Sequence, residues 1–143
     1  MAFELVKGPS RTHTWGCLGS ASMVKGGLVR FDVGTGFMDP AVAASAVMYG
    51  VCVSETQTAS STNGATQLKF VPFQDGQIWR VDTTGDVVAT QVGTIASVTD
   101  AVSLDEDDTG NTPLFKIIGY EGALTARKAL VSPMMPLITA IGV

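Results

Sequence analysis

The sequence predicts an all-β protein: a small β-sandwich or β-barrel domain with one short inserted helix and an extended N-terminal arm. Three observations carry that reading. Apolar and polar residues alternate over short runs, the two-residue period of a half-buried strand. Gly, Asn and Asp turns punctuate those runs, as in sandwiches and barrels. The chain has 143 residues, which suits one domain able to bury roughly 70% of its unfolded surface, enough for a core without staples.

Residues 1–24 show no clear period. Gly8, Pro9, Gly16 and Gly19 interrupt them, yet Phe3, Leu5 and Trp15 are large and apolar. A solvated tail would carry few such groups. The segment therefore reads as an extended arm or as a first edge strand, with residues 25–143 as a single β-rich domain. In the arm reading Phe3, Leu5 and Trp15 are the anchors that meet a partner, and removing residues 1–20 abolishes binding while the domain still folds.

From residue 25 the pattern sharpens. "GGLVRFDV" puts Val29, Phe31 and Val33 on one face and Arg30 and Asp32 on the other. "DVGTGFMDP" turns the chain. Asp39 followed by Pro40 has the form of a helix start, an N-cap acceptor before a residue of preset φ. "AVAASAVMY" continues it for two turns to a cap at Gly50, and "GVCVSE" resumes as strand. "TQTASSTNGATQ" is a surface loop or a hairpin tip turning on Asn63-Gly64. "LKFVPF" is a strand whose Pro72 argues for an edge position. "QIWRVD" sets Trp79 and Val81 on one face. "VVATQV" reads as a strand ended by Gly93. "IASVTDAVSL" aligns Val98, Val102 and Leu104, and "PLFKIIGY" is a strand. "EGALTARKALV" is a helix or, at "KALV", a last strand. Pro133 and Pro136 close it, and "LITAIGV" is an apolar tail. This gives six to eight strands and no fixed-period repeat.

Charged residues are 15% of the chain, against about 25% in typical soluble domains. Surface so poor in charge is often covered by a partner. The net charge is −4 and the nine basic residues are scattered, so the basic stripe that nucleic-acid binding requires is missing. No run reaches the ~20 apolar residues of a membrane helix. The start, "MAFELVKGPSRT", lacks the basic and apolar regions of a secretory signal. Cytoplasmic maturation is thus expected, with Cys17 and Cys52 reduced and buried as small hydrophobes rather than paired.

"LDEDDTGNTPLFK", residues 104–116, is the most loaded stretch. Aligned to a calcium-binding hand, Asp105, Asp107 and Thr109 take the first three ligand positions and Gly110 the sixth. Lys116 then stands where a bidentate Glu is needed, and the flanks read as strands. The stretch is expected to be the exposed tip of a hairpin, turning on its own side-chain bonds, with a loose, partner-completed cation site as the alternative. The lone histidine, His13 in "SRTHTWG", has no nucleophile elbow beside it and is expected to pack beside Trp15. Cys17, Cys52 and His13 fall short of four zinc ligands. Gly34-Thr35-Gly36 lacks the third glycine of a dinucleotide fingerprint, and no phosphate loop occurs. No catalytic residue, cofactor or metal site is therefore expected.

The order of segments resembles the head decoration (cement) proteins of tailed bacteriophages. The likeness runs from about residue 24 to 131, through "VKGGLVRFD", "DPAVAASAVMYGVCV", "QDGQIWRVDTTGDVVATQVGT", "TGNTPLFKIIGY" and "KALVSP". It rests on composition, turn placement and order, with no single diagnostic motif. It implies a non-enzymatic virion protein, made in the host cytoplasm. Such a protein sits as a homotrimer on the outer surface of the expanded capsid and stabilises contacts between subunits of the major capsid protein. The alternatives are another virion β-protein, of the tail or of head completion, and a soluble β-sandwich binding module; a small hydrolase built on His13 ranks below them.

Overall fold

The computed structural model describes residues 3–32, 34–41, 50–85, 87–98, 104–105, 115–120 and 128–134. Among them the chain is all-β. The strands are β1 (Phe3–Lys7), β2 (His13–Gly16), β3 (Ser22–Met23), β4 (Leu28–Phe31), β5 (Met38–Pro40), β6 (Gly50–Cys52), β7 (Gln57–Thr58), β8 (Gln67–Pro72), β9 (Ile78–Asp82), β10 (Ile95–Val98), β11 (Leu104–Asp105), β12 (Phe115–Tyr120) and β13 (Lys128–Pro133). They form a six-stranded sheet in the order β1-β9-β13-β12-β10-β11, a five-stranded sheet in the order β2-β8-β6-β4-β5, and a two-stranded ribbon of β3 and β7. Every named strand pair is antiparallel.

The alternation of side chains explains the layering. In β9, Trp79 and Val81 are buried between partly exposed neighbours. They join Phe115, Ile117, Ala129 and Val131 of the same sheet in one core, against Leu28, Val51 and Val71 of the five-stranded sheet. Edge-on aromatic contacts fill its centre, with Phe73 at 5.3 Å from Phe115 and 5.8 Å from Trp79 between ring centroids. The strands of the five-stranded sheet send their alternate residues the other way. Val29, Cys52, Leu68 and Phe70 build a second core with Cys17, Met23 and Met38. Leu28 and Val29 are therefore both buried, because β4 lies between two cores rather than on a solvated face.

The five-stranded sheet curls around that second core. A parallel bridge pairs Cys17 with Met38, and Leu18 donates its N–H to the Met38 carbonyl at 2.7 Å. The two ends of the strand order, β2 and β5, thereby meet. The architecture combines the two expected forms: a sandwich whose second sheet rolls towards a barrel.

Several expectations are corrected. Residues 3–7 and 13–16 are strands of the two sheets, and Phe3 is 2% exposed in the sandwich core. A free arm spanning residues 1–24 is thus replaced by edge strands, the other reading of that segment. Asp39 and Pro40 do not start a helix; they lie in β5, where Asp39 pairs with Arg30. The rest of the expected helix, at residues 42–49, lies outside the described residues. Gly50 is a strand residue, needed because a Cβ there would collide with the Val71 carbonyl. The strand containing Pro72 is interior: β8 runs between β2 and β6. The proline is tolerated because β2 stops opposite Phe70, so no neighbour on that side needs its missing N–H. "VVATQV" is a 3-10 turn at Ala89–Gln91, held by Gln91 Oε1 accepting from Val88 N–H and by Thr94 Oγ1 donating to the Gln91 carbonyl. "IASVTDAVSL" is two strands, β10 and β11, paired with each other. "KALV" falls in β13, the strand alternative for that segment. The acidic residues after Asp105 and the tail from residue 135 lie outside the described residues.

Candidate functional site

Trp15 is the most exposed large apolar side chain described, at 51%. Its position follows from strand pairing. It stands directly opposite Leu68 and therefore faces the second core. Its ring meets Phe31 edge-on at 5.9 Å, and its indole N–H donates to the Gly36 carbonyl at 3.0 Å. That carbonyl is presented by a turn locked by Asp32, whose Oδ2 accepts from Thr35 N–H and Thr35 Oγ1 at 3.1 and 2.8 Å. Gly36 holds a φ of 75°, which glycine adopts without strain. Trp15 is thus a fixed aromatic lid over the seam where β2 meets the turn after β4, half covered and half in solvent. Phe37 packs close to Gly16 and Gly64. A fixed, amphipathic, half-buried Trp is the kind of side chain that anchors protein interfaces.

Phe3 and Leu5 are placed elsewhere. They belong to β1, at the edge of the six-stranded sheet. With Val51, Val53, Val71 and Trp79 they line an apolar cavity of about 170 Å³ between the two sheets. Phe3 is a core residue in this chain, and Leu5 is half-buried against the core. The three expected contact residues therefore do not form one patch: Trp15 lies on the barrel seam, and Phe3 and Leu5 at the mouth of the sandwich. Nothing in the local sequence foretold the cavity, because its walls come from five separated segments.

His13 does not pack on Trp15. It lies opposite Phe70, ring centroids 5.9 Å apart. Cys17 and Cys52 are free and buried in the second core. Burial pushes both thiols above their ordinary value of 9.0. For Cys17 the nearby Cys52 adds to that, and for Cys52 a bond to the Ser54 backbone opposes it. Such thiols are poor nucleophiles. Among the described residues no three His, Cys, Asp or Glu side chains are grouped to hold a metal, and no helix is long and apolar enough to cross a membrane. What the described surface offers is edges and apolar contacts.

The described architecture is a sandwich whose five-stranded sheet rolls over a second core, with edge strands β1 and β2 carrying its apolar surface features. No protein-family model and no curated protein matches the chain. Among solved structures, the fold is similar to that in "The crystal structure of head fiber gp8.5 N base in bacteriophage phi29". The TM-score is 0.54 at 13% identity, over 87% of this chain and 95% of that one. At that identity the likeness is one of fold.

Proposed function

We propose that this chain is a non-enzymatic structural protein of a bacteriophage virion, which binds the outside of the expanded capsid and braces neighbouring subunits of the major capsid protein. The observation that carries the reading is the fold similarity to a phage head fiber base across nearly all of that chain. The finer assignment to the capsid surface is supported by the likeness to head decoration proteins in composition, turn placement and segment order. The low charge and the half-exposed Trp15 suit the job, since such a protein gains free energy by burying apolar area at about 25 cal/mol per Å². Self-association into a homotrimer on the shell belongs to the same reading.

The named neighbour favours a second reading, a base that carries a fibre on the head. Copy number separates the two. Quantitative mass spectrometry of purified particles should give a number of copies comparable with that of the major capsid protein for a decoration protein. A small fraction of that number supports the fibre base instead.

A further inference from the structure

We propose that the outer edge of β1 at Leu5, with the apolar cavity behind it, is a docking site for the C-terminal segment, residues 135–143, of a second copy of this chain. The inference holds whether or not the chain binds a shell. It starts from backbone bonding. Phe3 donates its N–H away from β9, to the Gly26 carbonyl at 2.9 Å. Residues two apart on a strand point their backbone groups the same way. Leu5 N–H and C=O therefore also face away from β9, and among the described residues they have no backbone partner. Beyond Leu5 the pairing of β1 shifts register before Lys7.

This short open edge lies over the 170 Å³ cavity walled by Phe3, Leu5, Val51, Val53, Val71 and Trp79. Apolar cavities of roughly 150 Å³ admit a group the size of benzene, so a Leu or Ile side chain fits. An added strand would supply both halves: backbone bonds to Leu5 and a side chain for the socket. The flanking charges are already matched, Glu4 with Arg80 at 3.0 Å and Lys25 with Glu55 at 3.1 Å. An incoming segment should therefore be uncharged.

Residues 135–143, "MPLITAIGV", carry no charge. Leu137, Thr139 and Ile141 alternate along them, with the branched side chains that suit strands. Their reach is up to ~30 Å. Leu5, Trp79 and Val131 lie in one row across β1, β9 and β13, and continuing that register sets Pro133, the last residue of β13, beside Gln77. The direct path from Pro133 to Leu5 in the plane of the sheet crosses there. That path is taken by Gly8 and Pro9, which lie against Gly76 and Gln77, with Gln77 Nε2 donating to the Pro9 carbonyl at 2.8 Å. A tail arriving from a neighbour need not take that path. Tail-to-socket donation, repeated around a ring, gives a closed oligomer.

The test is light scattering on the full chain over a concentration series, with no shell present. The expected result is a closed oligomer that Ile141→Asp dissociates, weakening association at least roughly tenfold. The melting point of the dissociated variant should match that of the parent monomer at high dilution. Val53→Glu, which places a carboxylate in the socket, should dissociate it likewise. Mixing the two variants should restore a heterodimer, since one retains its socket and the other its tail. A parent that stays monomeric overturns the proposal, as does an oligomer indifferent to Ile141→Asp. A monomeric parent whose melting point falls with Ile141→Asp identifies the chain's own tail as the occupant and overturns it too.

Discussion

Trp15 donates its indole N–H to the carbonyl of Gly36 at 3.0 Å, across 21 residues of chain. That bond ties the edge strand β2 to the turn between β4 and β5, at the seam closed further along by Cys17 and Met38. It holds the ring in one orientation while leaving half of it in water.

Trp15→Ala should therefore separate binding from stability. A half-exposed ring contributes about 1 kcal/mol to folding by area, a small shift in a denaturant midpoint. As a pre-oriented anchor it should matter more to shell binding, with a loss of at least roughly tenfold in affinity. Trp15→Phe keeps the ring and loses the bond, so it should fall between. Equal binding by all three would remove Trp15 from the interface.

Gln77 makes a stronger structural prediction. It is fully buried. Its Nε2 donates to the Pro9 and Pro72 carbonyls at 2.8 and 3.0 Å, and its Oε1 accepts from Gln74 N–H and Trp79 Nε1 at 2.9 and 3.1 Å. Gln77→Leu strands all four partners and should cost roughly 3 kcal/mol in urea unfolding.

Removal of residues 1–20 should now prevent folding rather than free a domain from its arm. The cut deletes β1 and β2, Phe3 from one core and Cys17 from the other. Circular dichroism and the loss of a cooperative melt would check this. A folded truncation would return the segment to the status of an arm.

The two buried thiols set an alkaline limit. Their folded values are raised, so folding favours the protonated forms. The associated stability is constant below pH ~9, the ordinary thiol range, and falls as pH rises beyond it. Replacing Cys52 by Ala should lessen the decline between neutral and strongly alkaline pH relative to the parent. In the folded protein both thiols should react slowly with a thiol reagent, and fast after denaturation.

The sequence disclosed strands whose one face meets one core. Trp79 and Val81 in β9 were legible because their neighbours stay partly exposed. The alternation in "GGLVRFDV" gave the right strand but half its burial, because Leu28, on the face opposite Val29, is buried in the sandwich core between the two sheets. The N-terminal strands were hidden for a different reason. β2 buries little of its own surface and exists through pairing with residues 67–70, some 50 positions away. Asp39-Pro40 has the local chemistry of a helix start, and pairing with Val29 and Arg30 overrode it. Trp15 was named from the sequence as a large apolar residue in a segment without period, and the fold leaves it half exposed. The socket behind Leu5 was not legible, since it exists only where two sheets fail to meet.

The measurement that tests the central claim most directly is co-sedimentation of the purified full chain with expanded, undecorated heads through a density gradient. Saturable binding at a fixed ratio to the major capsid protein is the predicted result. A folded chain that stays at the top of the gradient at every concentration would contradict it.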